Sequence, residues 1–206
     1  MKKIIVLGSK GMLGQMACLY FSKNGYSIIE FNTRFTEDNS NLYFTELNKL
    51  EDGFVINCIG RIKQKSEDAF NLFLSNTIFP LALSRSLKKT HFLIHPSTDC
   101  VFDGKNKLYK EDAVHNAQDV YGKSKSLGEI TAKNFFNIRT SIIGKEIKGY
   151  KSLYDWFLNQ EKNSKINGFT NHLWNGLTTR AYGHILISII ENKIKLPNPK
   201  KKTGDK

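Results

Sequence analysis

The sequence predicts an α/β fold, a doubly wound parallel sheet followed by a smaller, curtailed C-terminal lobe. Three observations predict it. Short apolar runs alternate with longer amphipathic stretches along the chain, the pattern of parallel strands joined by crossover helices. The first run, Ile4-Ile5-Val6-Leu7, opens into a turn with Gly8, Gly11 and Gly14 and then into an amphipathic segment. The distinctive turns, at 8–14, 32–34, 57–61, 96–99 and after Arg139, all follow apolar runs. In open sheets the crevice beyond the carboxyl ends of the strands is where ligands sit.

Residues 2–7 are the first strand. Residues 12–23 are the first helix, closed by Asn24-Gly25, a pair suited to the turn after a helix. Residues 26–31 form the second strand, 41–44 a short third and 53–58 a fourth. A long helix over about 67–89 follows. Residues 91–95 are the fifth strand, stopped by Pro96, which has no N–H to give to a ladder. Residues 120–134 read as a helix, 135–139 as the sixth strand, and 153–160 and 178–191 as helices. The stretch from Leu196 is Pro, Lys, Gly and Asp, so 196–206 is expected to be a basic disordered tail. Residues 1–195 are read as one domain, its last lobe beginning near residue 140.

A chain of 206 residues with 40% hydrophobic content suits one domain with a substantial core. No apolar run approaches the roughly 18 residues of a membrane span. Met1-Lys2-Lys3 before Ile4 imitates a leader, but the apolar run is too short and ends in the glycine turn. Cys18, Cys58 and Cys100 are odd in number and far apart, which predicts buried reduced thiols and a cytoplasmic location. No Cys/His spacing suits zinc. The net charge of +12 raises a nucleic-acid surface. Apart from Lys200-Lys201-Lys202 the lysines are scattered and no aromatic ladder accompanies them, so no nucleic-acid partner is expected.

The chemistry lies in two motifs. A glycine turn leading into a helix is where a dinucleotide pyrophosphate sits. Gly8 suits the tight turn, Gly11 lets backbone approach phosphate and Gly14 lets the helix pack closely. The spacing is G-x-x-G-x-x-G rather than the commoner fingerprint. The second motif is Tyr121-Gly122-Lys123-Ser124-Lys125. Tyr121 and Lys125, four apart, share a helix face, where the ammonium is expected to lower the phenol pKa. Ser97-Thr98-Asp99 follows a strand and lies 23 residues before Tyr121. A hydroxyl there can bond the substrate oxygen that Tyr121 protonates; by itself such a triplet reads as a turn or helix cap. Together these describe hydride transfer at a carbonyl or carbinol, with tyrosine as acid or base. At the end of the second strand, Asn32 stands where an acid would repel a 2′-phosphate. Arg34 could grip that phosphate, which favours NADP; Glu30 leaves NAD as the alternative.

These residues resemble the extended short-chain dehydrogenase/reductases, and within them the dTDP-4-dehydrorhamnose reductase branch. The resemblance rests on Gly8-Ser9-Lys10-Gly11-Met12-Leu13-Gly14, Asn57-Cys58-Ile59-Gly60, the block from Ser97-Thr98-Asp99 to Gly104, Tyr121 to Lys125 with Gly128-Glu129, and Arg139-Thr140-Ser141. It implies a Rossmann sheet in which Thr98, Tyr121 and Lys125 are the catalytic trio. It implies cofactor contacts from Gly8, Gly11, Met12, Leu13, Gly14, Arg34, Cys58, Ile59, Gly60, Tyr121 and Lys125, with Lys125 on the nicotinamide ribose. Asn76 would support the site, and the loop from Arg139 would face nicotinamide and substrate. Family members commonly run closer to 300 residues, so the substrate lobe is expected to be short, with a homodimer or partner subunit as a source of the remaining surface.

The resulting expectation is an NADPH-dependent reductase of a 4-keto-6-deoxy nucleotide sugar, serving polysaccharide synthesis. The alternatives are an epimerase or dehydratase of the same superfamily and a non-catalytic NADP-binding regulatory protein. A dehydratase would usually pair two acids after the Ser/Thr, and Asp99-Cys100 supplies one. The five histidines share no catalytic spacing. Phe169, Trp156 and Trp174 are read as core, with stacking on a substrate as the alternative. The segment 175–179 is read as a turn with a helix cap.

Overall fold

Alternation along the strands sorts the core into two layers. In β1 (Lys3–Leu7), Ile4 and Val6 face one side of the sheet and Ile5 and Leu7 the other, all four fully buried. Ile4 and Val6 pack with Ala17, Phe21, Tyr182, Leu186 and Ile190, so α1 (Met12–Lys23) and α7 (Thr179–Ile190) cover that face. Ile5 and Leu7 pack with Tyr43, Phe44, Leu47, Phe79 and Leu83, from α2 (Ser40–Lys49) and α4 (Phe79–Ser86). The computed structural model describes residues 3–62, 68–106, 108–146, 152–172 and 174–192.

Five strands form the main sheet: β1, β2 (Ser27–Phe31), β3 (Gly53–Asn57), β4 (Phe92–Ser97) and β5 (Phe135–Arg139). The order is β2-β1-β3-β4-β5 and every pairing is parallel. Chain direction across the sheet reverses between β1 and β3, which places a crevice at their carboxyl ends. A helical stretch after β3 comprises α3 (Ala69–Phe73), a π-helical turn (Leu74–Ile78) and α4. A 3₁₀ turn (Asp99–Val101) follows β4, and α5 (Val120–Leu127) precedes β5. After β5 come α6 (Leu153–Leu158) and a two-stranded parallel pair, β6 (Ile142–Ile143) with β7 (Leu177–Thr178).

Three expectations are corrected, and a fourth falls outside the described residues. Residues 41–44 are helical, not a third strand. Tyr43 and Leu47, four apart, enter the core from α2, so burial on one helix face outweighs the β preference of the Leu-Tyr-Phe run. The strand expected to stop at Pro96 runs to Ser97, because Pro96 still pairs in register with Ile138 of β5. Leu93 donates to Asn134 on the β5 side, so the even-numbered positions face β3. Pairing with β3 ends at Ile94, and the missing N–H of Pro96 therefore costs no ladder bond. The helix expected over 120–134 ends at Leu127, where Gly128 caps it. A side chain at Gly128 would collide with the Asn76 carbonyl. The expected tail at 196–206 lies outside the described residues.

Candidate active site

The glycine turn joins β1 to α1 at the crevice. Gly8 has φ +74°, and the Gly11 N–H donates to its carbonyl at 3.0 Å. A Cβ on Gly8 would lie 2.9 Å from Ile59 Cγ1, so the turn sits directly against the 58–59 wall. A Cβ on Gly14 would collide with the Gly8 carbonyl, which is why the helix can start so close to the turn. Gly11 caps α1 without a side-chain acceptor, and the first turn holds no acid. The leading N–H groups and the positive helix end are left available to an anion. Met12 and Leu13 are the first helical residues, and Leu13 packs onto the core. Ser9 donates its hydroxyl to Asn32 Oδ1 at 2.8 Å, tying the turn to the end of β2. Arg34, two residues on, is exposed.

The opposite wall is built by side chains acting on backbone. Asn57 accepts the Ile59 N–H at 3.1 Å and donates to His95 Nδ1 at 3.0 Å. His95 is fully buried, and burial holds its imidazole neutral, well below the usual histidine range. Asn76, in the π-helical turn, accepts the Arg61 N–H and donates to the Arg61 carbonyl, both at 2.9 Å, and also donates to Ser124 Oγ at 3.1 Å. The segment 60–61 is thereby fastened to α5. A Cβ on Gly60 would stand 3.9 Å from Lys125 Nζ.

Tyr121, Lys125 and Thr98 converge on this wall. Thr98, buried, accepts the Cys100 N–H at 3.2 Å and donates its hydroxyl to Asp99 Oδ1 at 3.1 Å, close to the Tyr121 phenol. Lys125 donates from Nζ to the Pro96 carbonyl at 2.9 Å. Burial pulls its ammonium down to about 8, opposed by the Glu129 carboxylate. The expected lowering of the phenol by Lys125 is not found. Burial pushes Tyr121 up to about 12, with Cys100, Asp99 and Asp119 adding to it and Thr98 opposing. The reason is geometric, since the ammonium turns towards Pro96 and Gly60.

Several side chains differ from expectation. Arg139 does not open towards a substrate. Its guanidinium forks onto Glu129, donates to the Glu111 carbonyl at 2.8 Å and lies over the Phe102 ring. Phe169, Trp156 and Trp174 are exposed rather than core: α6 is anchored by buried Asp155, whose carboxylate accepts from Glu146 N and Ser152 Oγ, and its aromatic face is left in solvent. Cys100 is exposed, and Cys18 and Cys58 are half-buried. Thr178 caps α7 as expected, accepting the Ala181 N–H at 3.1 Å. Sequence reasoning missed His95, which only the pairing of β3 with β4 brings to Asn57, and His115, whose Nδ1 lies 2.7 Å from Ser126 Oγ of α5. Among the described residues no cluster of His, Cys, Asp and Glu could hold a metal, and no helix is long and apolar enough to cross a membrane.

Comparison with known proteins gives concordant results. The family described as RmlD substrate binding domain matches residues 1–148. The spore coat polysaccharide biosynthesis protein SpsK of Bacillus subtilis is 30% identical over 153 residues, 68% of this chain and 53% of that protein. The dTDP-4-dehydrorhamnose reductase of Aggregatibacter actinomycetemcomitans is 27% identical over 137 residues, 63% of this chain and 46% of its own. The chain thus spans about half the length of the curated relatives it matches. The crystal structure of Bacillus anthracis dTDP-4-dehydrorhamnose reductase in complex with NADP superposes with a TM-score of 0.81, covering 95% of this chain and 73% of that one at 19% identity. At that identity the likeness establishes the fold.

Proposed function

This chain belongs to the RmlD substrate binding domain family, and on that premise we propose that it is an NADPH-dependent reductase of a 4-keto-6-deoxy nucleotide sugar. The observation that carries the reading is the convergence of Thr98, Tyr121 and Lys125 beside the glycine turn. The residues fit a dinucleotide. Side chains at Gly8 or Gly14 would fill the cradle, the helix start offers unpaired N–H groups, and a buried ammonium faces Gly60. Gly8, Gly11, Met12, Leu13 and Gly14 would hold the pyrophosphate, Cys58, Ile59 and Gly60 would form the adenosine-side wall, and Lys125 would hold the nicotinamide ribose. Asn32 puts no negative charge at the end of β2, and exposed Arg34 would take the 2′-phosphate. When bound, NADPH supplies the hydride.

The protein's own part is the proton and the positioning. Tyr121 holds its proton firmly, being pushed up to about 12, which suits a general acid delivering it to the carbonyl oxygen as that oxygen gains charge. The hydroxyl of Thr98 stands beside the phenol to bond the same oxygen. A cofactor-bound Lys125, displaced from Pro96 towards the ribose, would bring positive charge nearer to the phenolate that remains. Calorimetry with NADPH and NADH, followed by NADPH consumption with dTDP-4-keto-6-deoxy sugars, tests the reading. Binding of NADPH in preference to NADH, with consumption that requires the nucleotide sugar, supports it. Failure to bind either cofactor rejects it.

A further inference from the structure

Glu129 is a buried carboxylate just past the end of α5, its side chain 7% exposed, and the chemistry above assigns it nothing. Ser97 donates its hydroxyl to Oε1 at 2.5 Å. Arg139 donates to both oxygens, from Nε at 2.8 and 3.0 Å and from Nη2 at 2.7 Å. His115 Nε2 stands 3.6 Å from Oε2. Two consecutive residues at the end of β4 are therefore tied to one segment, the Pro96 carbonyl to Lys125 and the Ser97 hydroxyl to Glu129, and Thr98 follows them directly. Tyr121 and Lys125 share a face of α5, and Glu129 follows directly after its cap.

We propose that Glu129 is a positioning residue: gripped by Arg139, it fixes the Ser97 hydroxyl, and with it the neighbouring Pro96 carbonyl that accepts from Lys125 and the Thr98 side chain near Tyr121. The inference rests on the reductase reading for the roles of Thr98, Tyr121 and Lys125. The groups facing Lys125 are Glu129 and, from β4, His95. Those facing Glu129 are Arg139 from β5, His115 from the 102–119 loop, and Lys125. Asp99, Cys100 and Asp119 face Tyr121. Burial keeps both His95 and His115 below the usual histidine range, hence neutral near pH 7. Arg139 is positive at any working pH. The Glu129 carboxylate also opposes the effect of burial on Lys125, and the Pro96 carbonyl accepts from the same ammonium.

Glu129→Gln keeps the volume and an oxygen acceptor for Ser97 while removing the charge. In protein labelled with ¹⁵N-lysine, the Lys125 Nζ resonance, assigned by its loss in Lys125→Met, reports the titration directly. Its midpoint should move to lower pH in Glu129→Gln, and the alkaline limb of the kcat profile should move with it. An unmoved midpoint would overturn the electrostatic role. Ser97→Ala, a small change that retains every charge, isolates the positioning role. It should lower kcat by about tenfold or more, the scale for misplacing a reacting group, while the NADPH Kd and the Lys125 midpoint hold. An unchanged kcat would overturn that half. Failure of the reductase reading is distinguishable, because wild-type protein would then neither bind nor consume NADPH, whereas the Lys125 midpoint still reports on Glu129.

Discussion

Lys125→Met should stabilise the fold while destroying cofactor binding. The Lys125 ammonium is buried and donates a hydrogen bond to the Pro96 carbonyl. Burial lowers it from 10.5 to about 8. At about 1.4 kcal/mol per unit, that difference is a penalty on the order of 3 kcal/mol for carrying the charge at pH 7. A methionine of similar length carries no such penalty, but it leaves the Pro96 carbonyl unpaired, which returns about 1 to 3 kcal/mol. The expected net effect is a gain of up to about 2 kcal/mol at pH 7. The sign of its pH dependence follows from linkage. The folded-state pKa is depressed, so between about 8 and 10.5 the unfolded chain binds more protons and wild-type stability rises with pH. The advantage of the variant should therefore shrink across that window. Urea denaturation of both proteins at pH 7 and pH 10 measures it, and calorimetry with NADPH measures the functional loss. A variant less stable than wild type at pH 7, with a gap that does not depend on pH, would refute the reasoning.

Other consequences are as direct. Tyr121→Phe should lower turnover by roughly 10²- to 10⁴-fold, the worth of general acid catalysis, with NADPH affinity nearly intact; unchanged kcat would remove the phenol from the mechanism. Arg34→Ala should weaken NADPH by about 1 to 3 kcal/mol, the scale of a charge-assisted contact, and leave NADH almost unaffected; equal losses would count against a 2′-phosphate role. His91 and His95 are buried with depressed pKa values, so both are neutral in the folded protein. Stability should be level above about 6.5, the unfolded histidine value, and fall below it as the unfolded chain takes up protons. Chemical denaturation from pH 7.5 to 5 tests this, and a level profile would show that neither histidine carries a linkage.

The parts legible in the sequence are those that local pattern dictates. Strand β5 and helix α1 have the expected bounds, because alternation in one and apolar spacing in the other are strong over their full length. The glycine turn stands after β1 at the crevice, and Tyr121 and Lys125 lie four apart on α5, as the sequence indicates. What failed depended on contacts distant in sequence. Residues 41–44 carry a β-like run, and only the pocket lined by Phe31, Phe35 and Phe79 around Tyr43 makes the segment helical. The glycine that caps α5 is required by the carbonyl of Asn76, about 50 residues away, which leaves no room for a side chain. Glu129 stood in the sequence beside Gly128, but its partners Ser97 and Arg139 are brought to it only by the register of β4 and β5. The direction of the Tyr121 shift was misjudged for the same reason: spacing shows that Lys125 shares its face, not that the ammonium turns to Pro96.

The central claim is that Tyr121 and Thr98 serve a carbonyl that accepts hydride from NADPH. The most direct measurement is isotope transfer. The protein is incubated with NADPH deuterated at nicotinamide C4 and a dTDP-4-keto-6-deoxy sugar, and the nucleotide sugar is analysed by mass spectrometry and NMR. The account predicts one deuterium on sugar C4, from one face of the nicotinamide only, and none with Tyr121→Phe on the same timescale. Cofactor binding with a nucleotide sugar that stays unreduced and unlabelled would contradict it.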